Sequence, residues 1–217
     1  MVDNLQTIAT SLYEGDYAAV TDQVRKSVDQ GLSPERILQE GLIAGMDRVG
    51  RDFKEGILFV PEVLIAARAM HAGMDILRPL LAKSGVKSAG KCVIGSVQGD
   101  LHDIGKNLVK MMLEGAGYEL IDLGTDVKPD AFVAAVREHQ PKLVGMSALL
   151  TTTMVNMKTI IDALQAAGLR SSVKILIGGA PVTESFARDC GADGYASNAA
   201  SAVDVARALT GLRGELE

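Results

Sequence analysis

The spacing of hydrophobic positions changes near residue 90. Before it, apolar residues recur three and four apart, the repeat of a single helix face. Leu5, Ile8 and Leu12 predict a first helix. Tyr17, Val20, Val24 and Val28 predict a second, entered after Asp16, whose carboxylate suits an N-cap, and ended by Gly31. Ser33-Pro34, a cap residue followed by the residue favoured at the first helical position, opens a third helix carrying Leu38, Leu42, Met46, Val49 and Phe53. After Gly56 a fourth begins near Pro61, with Val60, Val63, Leu64, Ala67, Met70, Met74, Leu77 and Leu81 on a broad face. Four such helices on short connections predict a small antiparallel bundle over residues 1–83.

Residues 84–90 are small, polar and glycine-containing, the composition of an exposed linker. From residue 91 to 217, short β-branched or apolar runs alternate with helical ones. Cys92 to Val97, Tyr118 to Ile121, Leu143 to Met146, Lys174 to Ile177 and Gly194 to Ala196 predict five strands. Between them lie helical faces such as Leu108, Met111 and Met112; Phe132, Val133 and Val136; and Met154, Met157, Ile160, Ile161 and Leu164. Such alternation predicts a parallel sheet covered on both sides, so the fold class is α followed by α/β.

Composition narrows the partners. A net charge of −5 over 217 residues, with no dense Lys/Arg run, argues against a nucleic-acid surface. No apolar stretch reaches the roughly 18 to 20 residues of a membrane span, and the first residues lack the basic and apolar regions of a leader, so a cytoplasmic protein is expected. Cys92 and Cys190 have neither disulfide nor metal-ligand spacing and are expected to be inert thiols.

The candidate chemistry lies just after the first strand, in Gly99-Asp100-Leu101-His102-Asp103-Ile104-Gly105. A metal-ligating imidazole needs its second nitrogen held by an acceptor, and Asp100 stands two residues away to supply one. Gly105 then leaves room for a bulky group. Alone, this pattern fits an ordinary cap and hydrogen bond equally well. Two further elements follow at defined distances: Ser147-Ala148-Leu149 after 41 intervening residues, and Gly178-Gly179 after 28 more. All three follow predicted strand ends, where ligands bind in open α/β sheets.

Together these motifs, with GDLHDIGKNLV at residues 99–109 and DLGTDV at 122–127, resemble the cobalamin-binding domain of methionine synthase and of small corrinoid methyl-carrier proteins. The resemblance implies a flavodoxin-like (Rossmann-like) doubly wound sheet of five parallel strands behind an N-terminal four-helix cap. It implies cobalamin or a related corrinoid as cofactor, bound with His102 as lower axial cobalt ligand in place of the cofactor's own base. By the same resemblance Asp100 orients His102 and Thr153, six positions after Ser147, completes a relay, although the family relative has serine there. The displaced nucleotide tail is implied to lie in a slot lined by Ser147, Leu149, Thr151, Gly178 and Gly179, flanked by Ala196 and Ser197. Phe53 and Val60 match the positions that cap the upper corrin face, where the relative has leucine for Val60. Thr152 is read as a cap for the following helix. Near the last strand, Asn198 stands where the family often has an acidic residue.

The implied function is a methyl carrier between a donor-specific methyltransferase and an acceptor methyltransferase, served by a reductive activator. Two other readings share parts of the pattern. A cobalamin-dependent sensor or regulator also joins a helical cap to such a domain, but the acidic charge and the absence of any Trp disfavour it. The small subunit of an adenosylcobalamin mutase shares the D-x-H-x-x-G loop but lacks a bundle like residues 1–83.

Overall fold

The computed structural model describes residues 4–84 and 89–211. The expected linker at residues 84–90 therefore lies largely outside the described residues. The chain falls into two compact units, Met1–Lys87 with Gly115–Gly117, and Ser88–Glu114 with Tyr118–Glu217.

Among the described residues the regular elements of the first unit up to Ser84 are all helical: α1 (Asn4–Tyr13), α2 (Tyr17–Asp29), α3 (Pro34–Arg36), a π-helical segment (Ile37–Ile43), α4 (Ala44–Lys54) and α5 (Val60–Ser84). Asp16 caps α2 by accepting from the Ala19 N–H at 2.9 Å, and Ser33 caps α3 through the Arg36 N–H at 3.3 Å. The third predicted helix is one helical run interrupted by a π segment, which the apolar spacing does not reveal because Leu38, Leu42 and Ile43 stay buried throughout. This run meets α1 closely. A Cβ added at Gly41 would lie 3.2 Å from Ile8 Cγ2, and one at Gly45 would lie 2.9 Å from the Ala9 carbonyl oxygen.

Two apolar faces are narrower than their spacing predicts. Tyr17 is exposed and carries the Arg68 guanidinium 4.5 Å from its ring centroid, so cation–π contact replaces burial. On α5, Val60 and Leu64 are exposed while Val63, Ala66, Ala67, Met70 and Leu77 form the buried line.

The second unit alternates strands and helices: β1 (Gly90–Ser96), α6 (Ile104–Gly115), β2 (Tyr118–Asp122), α7 (Pro129–His139), β3 (Leu143–Ser147), α8 (Thr151–Met154), α9 (Asn156–Ala166), β4 (Lys174–Gly178), α10 (Glu184–Cys190), β5 (Gly194–Ala196) and α11 (Ala199–Thr210). A 3-10 turn at Arg170–Ser172 precedes β4. All strand pairs are parallel, in the order β2-β1-β3-β4-β5. The helical face from Met154 to Leu164 is divided, with α8 and α9 separated at Val155. Val93, Val144 and Ile175 from the strands pack with Phe132, Ile160 and Leu164 from the helices.

Two features of this sheet place the candidate residues. The strand order reverses between β1 and β3, so the loops leaving those strands diverge and open a crevice at their carboxyl ends. The last residues of β1, β3, β4 and β5 also share one register row, with Ser96 beside Ser147, Ser147 beside Gly178 and Gly178 beside Ala196.

Candidate functional site

Between the end of β1 and the start of α6, residues 97–103 cross the crevice with Asp100 at their centre. The Asp100 side chain is 0% exposed and accepts four hydrogen bonds. Oδ1 receives His102 Nδ1–H at 2.8 Å and the His102 main-chain N–H at 3.1 Å. Oδ2 receives the Leu149 N–H at 2.7 Å and the Thr153 hydroxyl at 2.6 Å. Burial works against the charged carboxylate, but the donors from Thr153, Leu149 and His102 outweigh it and hold the carboxyl well below the usual range.

An ionised Asp100 has no proton to offer, so the hydrogen in the bond to His102 belongs to Nδ1. Nε2 of the neutral ring then carries a free lone pair, the form that ligates metals. The His102 side chain is 52% exposed. Its sequence neighbours Leu101 and Ile104 are 74% and 80% exposed, and Leu149 and Leu150 are exposed as well. Large apolar side chains around a half-open imidazole suit a flat apolar ring. One imidazole suits a metal that brings its other ligands in such a ring, so the residues present fit a cobalt corrinoid.

The loop is tied from several directions. The buried Ser96 hydroxyl donates to the His102 carbonyl at 2.7 Å, and Asn156 Nδ2 donates to the Gln98 carbonyl at 2.8 Å. Gly99, at φ +82°, donates its N–H to Asp126 Oδ1 at 2.7 Å. Asp103 accepts from Asn107 Nδ2 at 3.0 Å within the first turn of α6.

The other candidate residues divide into two groups. Ser147, Gly178 and Ala196 end their strands in one row, with Leu149 and Thr151 just beyond β3, Gly179 just beyond β4 and Ser197 just beyond β5. A Cβ at Gly105 would meet nothing within 4 Å, so the fold itself does not require this glycine. Gly178 and Gly179 are different. A Cβ at Gly178 would lie 2.9 Å from the Ala196 carbonyl oxygen, and one at Gly179, at φ +129°, would collide with the Ala148 carbonyl oxygen. The space their side chains would occupy is filled by the neighbouring strand ends. Phe53, half-buried on α4, and Val60, 37% exposed at the first position of α5, belong to the helical unit.

One expectation changes, and the departure at Asn198 finds a structural role. No threonine caps α8: its cap residue is Leu150, without a side-chain cap bond, and Thr152 is exposed. Asn198 is an N-cap, with its side chain accepting from the Ser201 N–H at 2.8 Å and the Ser201 hydroxyl accepting from the Asn198 N–H at 3.1 Å. An amide and a carboxylate cap a helix about equally well, so the capping geometry accommodates Asn198.

Ser96, Asp126, Asn156 and Lys106 escape the sequence reading. Lys106 is 2% exposed, with Nζ 2.6 and 2.8 Å from the two Asp122 oxygens and 2.8 Å from Asn107 Oδ1. It ties α6 to the end of β2. The run GDLHDIGKNLV contains Lys106, but nothing local points to a partner 16 residues away.

A B12 binding domain family matches residues 90–204, more than half of the chain, and a second B12 binding domain family matches residues 5–78. The chain belongs to the B12-binding family. Its cofactor is a cobalamin or related corrinoid. A corrinoid protein of Desulfitobacterium hafniense is 43% identical over 210 residues, covering 95% of this chain and 97% of that protein. Trimethylamine corrinoid protein 1 of Methanosarcina acetivorans is 42% identical over 196 residues, covering 89% and 91%. Among solved structures, the methanol:cobalamin methyltransferase complex MtaBC from Methanosarcina barkeri aligns with a TM-score of 0.85 at 32% identity, covering 97% of this chain and 80% of that one. The B12-binding match in residues 90–204 contains the whole His102 loop and every strand-end residue described above.

Proposed function

We propose that this protein is a corrinoid methyl carrier. It binds the corrinoid with the cofactor's own base displaced and His102 Nε2 as lower axial ligand, accepts a methyl group from a donor-specific methyltransferase, and presents it to an acceptor methyltransferase, with a reductive activator as a third partner. The observation that carries this reading is the imidazole whose Nδ1–H is fixed by a fully buried, ionised Asp100 while Nε2 stays open among exposed apolar side chains. It is supported by similarity along nearly the whole chain to corrinoid proteins, one named for trimethylamine, and to a chain of a methanol:cobalamin methyltransferase complex.

When bound, the corrinoid supplies a cobalt centre that takes up and gives away a methyl group. The protein's own residues set the lower side of that centre. Asp100 keeps the proton on Nδ1, so His102 approaches as a neutral ligand through Nε2. The Asp100 carboxylate is itself held by Thr153 and Leu149, which fixes the acceptor that His102 Nδ1–H faces. Ser147, Thr151 and Ser197 offer hydroxyls along the strand ends to the displaced nucleotide tail, beside Gly178, Gly179 and Ala196. Phe53 and Val60 enter the proposal as capping residues through the family resemblance.

The test is electron paramagnetic resonance of the cobalt(II) protein, reconstituted with cobalamin and prepared with natural or nitrogen-15 histidine. The axial-nitrogen splitting is expected to change from a triplet to a doublet on labelling, and to disappear in His102→Ala. A splitting unaffected by the label means that the cofactor has kept its own base, and the proposal fails.

A further inference from the structure

We propose that Asp126 is a positioning residue for the axial histidine, gripping the backbone just before it and thereby setting where the Asp100–His102 pair stands. This rests on reading His102 as the cobalt ligand.

Asp126 lies in the connection between β2 and α7, inside the DLGTDV run of residues 122–127 but with no role assigned to it by that motif, and holds the His102 loop at two points. Its Oδ1 accepts the Gly99 N–H at 2.7 Å, and its own N–H donates to the Asp100 carbonyl at 2.9 Å. Two adjacent residues of the loop are therefore fixed by one residue.

This grip depends on an uncommon backbone state. Asp126 has φ +53°, the left-handed region that most side chains avoid and that Asp and Asn tolerate best after glycine. Along the same edge, the Ser96 N–H donates to the Gly124 carbonyl at 2.9 Å, the Val127 N–H donates to the Ser96 carbonyl at 3.0 Å, and Val97 pairs with Val127. The β2–α7 connection is thus fastened to the exit of β1 on both sides of Asp126.

The consequence passes through Asp100. Its carboxylate meets Leu149 and Thr153 on the β3 side, while Asp126 holds its main chain on the β2 side. His102 follows two residues later and takes its orientation from Asp100. Asn156 holds the Gln98 carbonyl at 2.8 Å, the other side of the planar peptide group whose Gly99 N–H Asp126 accepts. The Asp100 N–H donates to the Val97 carbonyl at 3.0 Å, while Asp126 holds both the Gly99 N–H and the Asp100 carbonyl. Releasing it removes two of the bonds on the Gly99–Asp100 segment, leaving those from Asn156 and the Val97 carbonyl, and would widen the range of positions open to the imidazole.

The side chain and the backbone state can be separated by substitution. Asp126→Asn keeps an acceptor oxygen and tolerates the left-handed state, so it should behave like the parent protein. Asp126→Gly keeps the backbone state and the main-chain bond to Asp100 but removes the acceptor for Gly99.

Two measurements test the proposal. In the cofactor-free protein, hydrogen exchange at the Gly99 amide should accelerate by about tenfold or more in Asp126→Gly, with Asp126→Asn close to the parent, while exchange in β3 and β4 is unchanged. In the cobalt(II) protein, the nitrogen-15-histidine experiment should give a smaller histidine-ligated fraction in Asp126→Gly, restored in Asp126→Asn, and corrinoid retention lower by about tenfold, the small end of effects from groups behind a metal ligand. Parent-like Gly99 exchange and ligated fraction in Asp126→Gly overturn the proposal, as does Asp126→Asn failing to restore them. If the parent itself has no labelled-histidine splitting, the carrier reading fails instead, and the cofactor-free exchange still decides whether Asp126 holds the loop.

Discussion

Thr153 donates its hydroxyl to Asp100 Oδ2 at 2.6 Å across 53 residues of sequence, on a carboxylate that no solvent reaches. The hydroxyl also lies 3.0 Å from the Leu150 carbonyl, but it has one proton, and the shorter, charge-assisted contact takes it. The extra methyl of threonine, relative to the serine of methionine synthase, leaves the bond to Asp100 intact. The methyl lies in ordinary contact range of where a Cβ on Gly99 would stand, at 3.4 Å.

Thr153→Val, which keeps the shape and removes the donor, should lower unfolding free energy by about 1.5–3 kcal/mol, the range for a hydrogen bond to a charged group. Thr153→Ser should lose much less. Urea unfolding of the cofactor-free proteins measures both, and equal losses for the two variants would mean that packing, not the hydroxyl, is what Thr153 supplies.

Asp100→Asn replaces one acceptor oxygen by an NH2 group facing donors. Either the two His102 N–H groups or the Thr153–Leu149 pair would face that NH2 in place of an acceptor, on a side chain that is fully buried. Corrinoid affinity should fall by about 10- to 100-fold, as for other groups that orient a metal-ligating histidine. Equilibrium binding of hydroxocobalamin measures it, and an unchanged affinity would separate Asp100 from ligation.

Gly105→Ala distinguishes a glycine kept for a ligand from one kept for the fold. The position has open space and lies in the first turn of α6, so alanine should leave stability unchanged or raise it by up to about 1 kcal/mol. If glycine is there to admit the corrinoid, binding should weaken in the same variant. Thermal unfolding and cobalamin titration of one preparation give both values. By contrast Gly179→Ala should fold poorly or not at all, since its Cβ has no space beside Ala148.

The Lys106–Asp122 pair has a predictable asymmetry. Removing Asp122 leaves an ammonium that is 2% exposed, whereas removing Lys106 leaves a carboxylate still held by Lys110 at 3.2 Å and the Gly124 N–H at 2.9 Å. Asp122→Leu should therefore cost more than Lys106→Met, up to about 3–5 kcal/mol. Burial opposes the Asp122 charge, but Lys106, the Gly124 N–H and Lys110 hold its pKa below the usual value. A depressed acid contributes stability that is whole above the unfolded value near pH 4 and lost as pH falls through the folded one. The stability gap between the parent and Asp122→Leu, read from urea midpoints, should thus be full at pH 7 and narrow below pH 4; a gap that widens in acid contradicts the assignment.

The five strands, the helices between them and the loop carrying His102 are legible in the chain because they depend on neighbours. Alternating apolar runs fix strands, Ser33-Pro34 and Asp16 fix helix starts, and Asp100 lies two residues from the imidazole it orients. Local order does not state which distant groups meet. The Leu149 N–H reaches Asp100 because β1 and β3 are neighbours in register, and Asp126 reaches Gly99 because β2 flanks β1 on the other side. Gly179 owes its requirement to the Ala148 carbonyl in the same way. Sequence by itself determined the helical and α/β halves, the five strands and the position of the His102 loop. Strand order, a property of the packed sheet, decided what holds that loop in place, because side-chain spacing records which face of an element is buried but not what lies across from it.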